Sequence, residues 1–174
     1  RTRPLDTRTV IPVYSTSKGG PAVALTRLIA QGRLSPDMLV AEIWPEFARN
    51  GKEKTRLRHL LNHTSGLRQR FPEQSTYELV ADWPHMIRAI EKSAPDWAPG
   101  TRTRYQSLTY GWVTAEIIQR ASGKSFRDYV IEELFAPEGI RDFHFGTTDE
   151  AERNAAEIRC DPPLASAPGI SVCD

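Results

Sequence analysis

The sequence predicts a mainly α-helical chain with little β-strand. Apolar residues recur at helical spacing in several segments, most clearly over residues 108–121, where the pattern is formed by Trp112, Ala115, Ile117, Ile118 and Ala121. Glycines stand where two of these segments end, at Gly32 and Gly123, as is usual after a helix C-terminus. Strand-like patterns are confined to short stretches, so base rates also favour a helical chain.

The first predicted helix follows an extended segment. Residues 9–14 are rich in β-branched residues and contain Pro12, which is incompatible with a helix interior. Apolar residues recur at helical spacing from residue 22 to about residue 31. Pro21 leaves two alternatives: residues 15–18 form a separate turn before a helix that starts near Gly20, or the helix is kinked there.

Further helices follow at intervals along the chain. Thr55 is predicted to cap the second helix, which Gly66 closes. Ser125 is predicted to cap the helix that follows residues 108–121. The remaining predictions are a short helix over 76–81, a helix from Pro84 with Met86, Ile87 and Ile90 on one face, a short strand or loop over 142–146, and a weakly packed helix over 148–159.

The bulk properties limit the possible functions. A chain of 174 residues is one domain or a piece of one, and its formal net charge of +1 implies neither nucleic-acid binding nor an acidic partner. No apolar run is long enough for a membrane span. The two cysteines, Cys160 and Cys173, do not form a disulfide framework. For the compartment, the cytoplasm is the default expectation.

Both ends look cut in the sequence. The chain opens on Arg1 without an initiator methionine, and residues 161–174 are rich in proline and small residues. We expect a partial, mostly helical domain over residues 1–147, followed by a charged and then proline-rich, weakly ordered tail over 148–174.

Ser15 and Lys18 are the first candidates for chemistry. Serine is a poor nucleophile unless a neighbouring base takes its proton, and a lysine three residues on in a helical turn lies on the same face. If Ser15 sits in the first turn of a helix, the positive end of the helix dipole also favours an oxyanion there. Alone the pattern is weak, since a capping serine beside a solvated lysine would give the same letters.

His59 and His63 have the i, i+4 spacing of metal ligands on a helix. The residues between them include no glutamate, and neither His85 nor His144 has the supporting pattern of a third ligand. We therefore predict no metal site and no cofactor.

Three further blocks follow in order after residues 15–19. Residues 57–67 read Leu-Arg-His-Leu-Leu-Asn-His-Thr-Ser-Gly-Leu, residues 97–100 read Trp-Ala-Pro-Gly, and residues 105–112 include Tyr-Gln-Ser and Tyr-Gly-Trp. Together they resemble the serine β-lactamase-like family, which includes class C β-lactamases, DD-peptidases and, most closely, β-lactamase-related carboxylesterases. The resemblance implies that Ser15 is the nucleophile, that Lys18 shares its proton, and that Tyr105 acts with Lys18 as general base and then as acid.

The chain departs from the family pattern in two places. Ser107 stands where the second motif usually has asparagine, which favours an esterase over a proficient β-lactamase. The third motif is missing, and His144-Phe145-Gly146 matches it by letter but comes far too early. The resemblance thus implies the helical portion of an α/β fold, with most of its antiparallel sheet and one oxyanion donor absent. We expect weak turnover, since one such donor is worth about a hundred- to a thousandfold in rate, and possible self-association through the exposed apolar face.

Three functions compete at this point. The first is hydrolysis of carboxylic esters through an acyl-enzyme at Ser15. The second, in the same family, is hydrolysis of β-lactams or of D-Ala-D-Ala peptides. The third is a non-catalytic helical module that binds a partner through its apolar face. The first two imply a small-molecule ester or amide substrate, and none of the three requires nucleic acid or a membrane span.

Overall fold

The computed structural model of the protein describes residues 4–7, 9–68, 77–146 and 148–156. These residues fall into two compact units, one formed by residues 13–140 and one by the described parts of residues 1–12 and 141–174. The domain boundary that we place at residue 147 stays a prediction.

Helices make up most of the described part of residues 13–140. The α-helices are α1 Gly19–Ala30, α2 Leu57–Leu61, α3 Tyr77–Ala81, α4 Trp83–Lys92, α5 Thr109–Ser122 and α6 Phe126–Val130. Short 3₁₀ turns lie at Tyr14–Lys18, Val40–Glu42 and Pro45–Phe47, and a π-helical turn, Ile131–Phe135, continues α6. The β pairing in the described residues consists of two isolated bridges, Val10 with Ala155 and Leu39 with Arg56. The prediction of a mainly helical chain is confirmed.

The start of α1 decides between the two alternatives left by Pro21. Residues 14–18 form a separate 3₁₀ turn, and α1 begins at Gly19 with Lys18 as its N-cap. Pro21 is then the third residue of α1, where its missing N–H removes no intrahelical hydrogen bond. At the other end Gln31 is the C-cap, and Gly32 takes the left-handed conformation with φ of +71°.

Helix α5 is the centre of the packing, since α1, α4 and α6 all lie against it. Its buried residues include Val113, Ile117 and Ile118. The other large side chains that are fully buried in this core are Leu25, Leu28, Trp44, Phe47, Leu57, Leu60, Met86 and Tyr129. Gly123 ends α5 in the left-handed conformation, as the sequence predicted.

The predicted N-cap of α2 is wrong, whereas the predicted stop, which starts at Asn62, lies where the helix ends. Its N-cap is Arg56 rather than Thr55, and Nδ1 of His59 accepts a hydrogen bond from the Arg56 N–H at 3.1 Å in place of a serine or threonine cap. The helix ends at Leu61 with Asn62 as its C-cap. His63 takes the left-handed conformation with φ of +60°, in addition to Gly66, where we expected it. Histidine adopts this conformation more often than most residues other than glycine.

The other helix ends agree closely with the sequence. Asp82 caps α4, Pro84 is its second residue, and Met86, Ile87 and Ile90 are buried together on one face. Ser125 caps α6 by accepting a hydrogen bond from the Asp128 N–H at 3.1 Å. Capping and apolar periodicity are local signals, which is why these helices could be placed.

The buried side chain of Lys52 binds carbonyl oxygens at the C-terminal end of α4. Its side chain is 1% exposed, and its Nζ donates to the carbonyl oxygens of Glu91, at 3.0 Å, and Ser93. These carbonyls lie at the negative end of the helix dipole, where a cation is favoured. Burial nevertheless lowers the pKa of Lys52 to about 8.

The smaller unit has one described helix, α7 Asp149–Asn154. Thr148 caps it by accepting a hydrogen bond from the Ala151 N–H at 3.1 Å. Next to this helix Val10 bridges Ala155. Residues 142–146, predicted as strand or loop, form bends. The proline-rich part of the predicted tail and both cysteines lie outside the described residues.

The described surface carries several exposed apolar side chains. In residues 13–140 they include Val23 on α1, Leu108 before α5, and Ile131 and Ile140. No helix in the described ranges has both the length and the apolar content that crossing a bilayer requires. Self-association through the apolar face stays a prediction.

Candidate active site

Ser15 and Lys18 meet within the 3₁₀ turn that precedes α1. Residues i and i+3 of a 3₁₀ helix eclipse each other, so the two side chains leave the turn in nearly the same direction. The Nζ of Lys18 donates a hydrogen bond to Oγ of Ser15 at 3.0 Å. Ser15 lies one turn before α1, and not in its first turn as the dipole argument supposed.

Tyr14, the residue before Ser15, has a positive φ of 45°. This conformation is unusual for a bulky side chain and indicates local backbone strain. Oγ of Ser17 donates to the Tyr14 carbonyl oxygen at 2.5 Å, so the Ser17 hydroxyl is engaged within the turn. Of these two serines, Ser15 is therefore the one that faces Lys18.

Tyr105 joins this pair from a distant part of the chain. Its ring centroid lies 4.9 Å from Nζ of Lys18. Hydrogen bonds from Ser15 and then from Lys18 lower the pKa of the Tyr105 phenol, because both favour the phenolate. The side chain is 45% exposed, so a ligand can reach it. The structure thus brings Ser15, Lys18 and Tyr105, the three predicted site residues, together.

Backbone hydrogen bonds hold the segment that leads to Tyr105. The N–H of Asp96 donates to the Gly66 carbonyl at 2.8 Å, and the N–H of Gly100 donates to the Thr64 carbonyl at 2.8 Å. The N–H of Arg104 donates to the His63 carbonyl at 3.1 Å. Residues 63–66, from the block 57–67, and residues 96–104, which contain the block 97–100, are therefore joined into one scaffold that supports the site.

Gln106, the residue after Tyr105, is anchored in the interior of the protein. It is 1% exposed; its Oε1 accepts from Oγ of Ser65 at 3.2 Å, and its Nε2 donates to Oγ1 of Thr109 at 3.4 Å. A buried amide is tolerated because these partners satisfy it. At this motif the sequence pointed to Ser107 and not to Gln106, because a polar side chain gives no sign of burial.

His63 is the second residue that sequence analysis missed. Its Nδ1 accepts a hydrogen bond from the Gln106 N–H at 3.2 Å. Its ring centroid lies 4.8 Å from that of Tyr105 and 5.2 Å from that of Tyr110. Burial, and then the charge of Lys18, lower the pKa of His63 and favour neutral imidazole. The i, i+4 spacing of His59 and His63 is typical of metal ligands and says nothing of this contact. The sequence feature that indicates a role for His63 is its position in the block of residues 57–67.

The two histidines of that spacing make protein contacts. Nδ1 of His59 accepts from Arg56, and the ring lies so close to Gly100 that a Cβ there would be 3.0 Å from Nε2. Across the described ranges, no three His, Cys, Asp or Glu side chains are grouped so that they could hold a metal ion.

The family model described as Beta-lactamase matches residues 1–170. The chain belongs to the β-lactamase family. The resemblance proposed from the sequence blocks is confirmed.

Relatives in the β-lactamase family carry several activities in their names. An Esterase/beta-lactamase LipL of Mycobacterium tuberculosis is 30% identical over 147 residues, which are 84% of this chain and 34% of that protein. A penicillin-binding protein homologue from Caulobacter crescentus has a TM-score of 0.84 at 30% identity, over 90% of this chain and 42% of its own. A family VIII carboxylesterase has a TM-score of 0.86 at 29% identity, over 91% and 44%.

The matched lengths show that this chain corresponds to only part of each similar protein. The chain spans about a third of the M. tuberculosis relative and less than half of the two solved structures. The described residues form the helical portion of a β-lactamase-like fold and hold almost none of its sheet.

Proposed function

We propose that the protein is a serine hydrolase that cleaves carboxylic esters through an acyl-enzyme at Ser15. The observation that carries the proposal is the hydrogen bond of 3.0 Å from Nζ of Lys18 to Oγ of Ser15, with the Tyr105 phenol hydrogen-bonded to both side chains. A hydroxyl flanked by a cation and by a phenol of lowered pKa has the requirements of an activated nucleophile.

The proton route follows from the donors available. A lysine ammonium donates hydrogen bonds and accepts none, so charged Lys18 cannot take the Ser15 proton. The Tyr105 phenolate takes it while Oγ of Ser15 forms a bond to the ester carbonyl carbon. The carbonyl then re-forms, the bond to the leaving alcohol oxygen breaks, and Tyr105 returns the proton to that oxygen. In the second step Tyr105 takes a proton from water while the water oxygen bonds to the acyl carbon. The bond from that carbon to Oγ of Ser15 then breaks, Tyr105 returns the proton to Oγ, and the carboxylic acid leaves.

Esters are the favoured substrate class for two reasons. Ser107 stands where the resemblance leads us to expect the asparagine of β-lactamases. Two of the similar proteins are named as an esterase/β-lactamase and as a carboxylesterase. Hydrolysis of β-lactams or D-Ala-D-Ala peptides is the alternative, and faster turnover of nitrocefin than of a p-nitrophenyl ester would favour it. The weak turnover expected of these 174 residues by themselves remains a prediction.

We expect a fluorophosphonate probe to label the full-length protein at Ser15. Ser15→Ala should abolish labelling, because the probe bonds only to an activated hydroxyl. Ser17→Ala is the matched control and should still be labelled, since its hydroxyl bonds within the turn. Labelling that survives Ser15→Ala but is lost in Ser17→Ala would show that Ser17, and not Ser15, is the nucleophile. A folded wild-type protein that is never labelled would favour the non-catalytic binding module.

Tyr105→Phe should slow acylation by about 10²–10⁴-fold, the usual contribution of general acid–base catalysis. In the wild type, acylation should rise with pH as the phenol ionises, and should level off below pH about 10, the ordinary phenol pKa, because Ser15 and Lys18 lower it. The variant should lose this dependence. Labelling rates across pH test both expectations, with Tyr14→Phe as the control phenol; an unchanged profile in Tyr105→Phe would exclude Tyr105 as the base.

A further inference from the structure

His63 contacts the chain on both sides of Tyr105. Its carbonyl oxygen accepts from the N–H of Arg104 at 3.1 Å, and its Nδ1 accepts from the N–H of Gln106 at 3.2 Å. Between these two hydrogen bonds its ring lies against the Tyr105 ring, with centroids 4.8 Å apart. One residue thus fixes the backbone before and after Tyr105 and contacts its side chain.

The backbone of His63 is shaped for this double contact. The residue follows the end of α2 with φ of +60°, which turns the chain sharply there. A residue other than glycine adopts this region at a cost, so the surrounding contacts must hold it in place. The buried pair of Ser65 and Gln106 fixes the next turn of the same scaffold.

The second hydrogen bond exists only when the imidazole is neutral. Nδ1 then accepts from Gln106 and Nε2 carries the hydrogen. The charged and titratable groups around the ring are the ammonium of Lys18 in the 3₁₀ turn, the phenol of Tyr105 and, on α5, the phenol of Tyr110. A second cation beside Lys18 would be unfavourable, and the partly buried position adds to that cost.

We propose that His63 is a positioning residue for Tyr105, whose neutral imidazole fixes the 104–106 backbone and so keeps the phenol within reach of Ser15 and Lys18. This inference rests on the proposed function. His63 does not touch the reacting atoms; it acts through the phenol that does.

Two variants separate the acceptor of His63 from its ring. His63→Asn places Oδ1 near the position of Nδ1 and tolerates a positive φ, whereas His63→Phe keeps a ring but has no acceptor. In the full-length protein we expect His63→Phe to slow fluorophosphonate labelling of Ser15 by roughly ten- to a hundredfold, because the Gln106 N–H loses its partner and the phenol its position. His63→Asn should stay within about threefold of wild type.

A titration of the Tyr105 phenol tests the same role without catalysis. Ultraviolet absorbance is followed against pH in each background, with and without Tyr105→Phe, to isolate this phenol. Its pKa should rise toward the ordinary value in His63→Phe and stay at the wild-type value in His63→Asn. Labelling and titration that both remain as wild type in His63→Phe would overturn the inference. If the wild-type protein is never labelled, the proposed hydrolase function is wrong. The titration of Tyr105 still tests the positioning role of His63 in that case.

A measurement on the wild type covers the case in which His63→Phe does not fold. Nitrogen NMR of the His63 ring, assigned by its loss in His63→Asn, should show the hydrogen on Nε2 and a lone pair on Nδ1. A hydrogen on Nδ1 at neutral pH would overturn the inference, because the hydrogen bond from Gln106 could not then form.

Discussion

Lys18→Ala is expected to slow acylation of Ser15 by about 10²–10⁴-fold, through lost stabilisation of the charged phenolate and of the attacking oxygen. The ammonium donates to Oγ of Ser15 at 3.0 Å and is one of the two groups that hydrogen-bond the Tyr105 phenol. Lys18 is only half-buried and is not among the residues of the hydrophobic core, so the fold should persist. The rate of fluorophosphonate labelling at fixed pH measures the effect.

The pH profile of Lys18→Ala gives the sign of the electrostatic contribution. Lys18 lowers the pKa of Tyr105 through a hydrogen bond and through its charge. Its removal should raise that pKa, so the rise in acylation with pH should move to higher pH. Lys124→Ala is the matched control, since Lys124 pairs with Glu132 and Glu133 and contacts none of the three site residues. Near-normal acylation in Lys18→Ala, or a profile that does not move, would refute the role given to Lys18.

Local patterns explain how much of this site could be predicted. Ser15 and Lys18 are three residues apart, and any helical turn brings them to one face. The inward face of α4 and the end of α5 at Gly123 likewise follow from periodicity and from a glycine. For Tyr105 no local pattern exists, and only the resemblance to a family placed it beside Ser15.

Two of the features that the sequence did not reveal depend on contacts between distant segments. Nothing near His63 in the chain indicates that its Nδ1 accepts from Gln106, and the burial of Gln106 depends on Ser65. The positive φ of Tyr14 runs against the preference of its own side chain, so local propensity could not predict it. Such departures concentrate at the site because its geometry is imposed by the surrounding structure.

The scaffold beneath Tyr105 should be sensitive to a single methyl group at Gly66. Gly66 and Gly123 have almost the same φ, +77° and +75°, so an alanine at either position carries a similar backbone cost of about 1–2 kcal/mol. A Cβ at Gly123 would meet nothing within 4 Å. A Cβ at Gly66 would lie 2.5 Å from the carbonyl oxygen of Trp97 and 3.1 Å from Cβ of Pro95.

We therefore expect Gly66→Ala to lower the free energy of unfolding by about 2–5 kcal/mol and Gly123→Ala by about 1–2 kcal/mol. The difference arises because a backbone carbonyl cannot rotate away as a side chain does, so the 63–66 and 96–104 segments must separate. That separation weakens the hydrogen bond from Asp96 to the Gly66 carbonyl. Urea unfolding of both variants measures the difference directly. Equal losses would mean that left-handed backbone strain alone matters at Gly66, and that the close contact with Trp97 does not hold the two segments together.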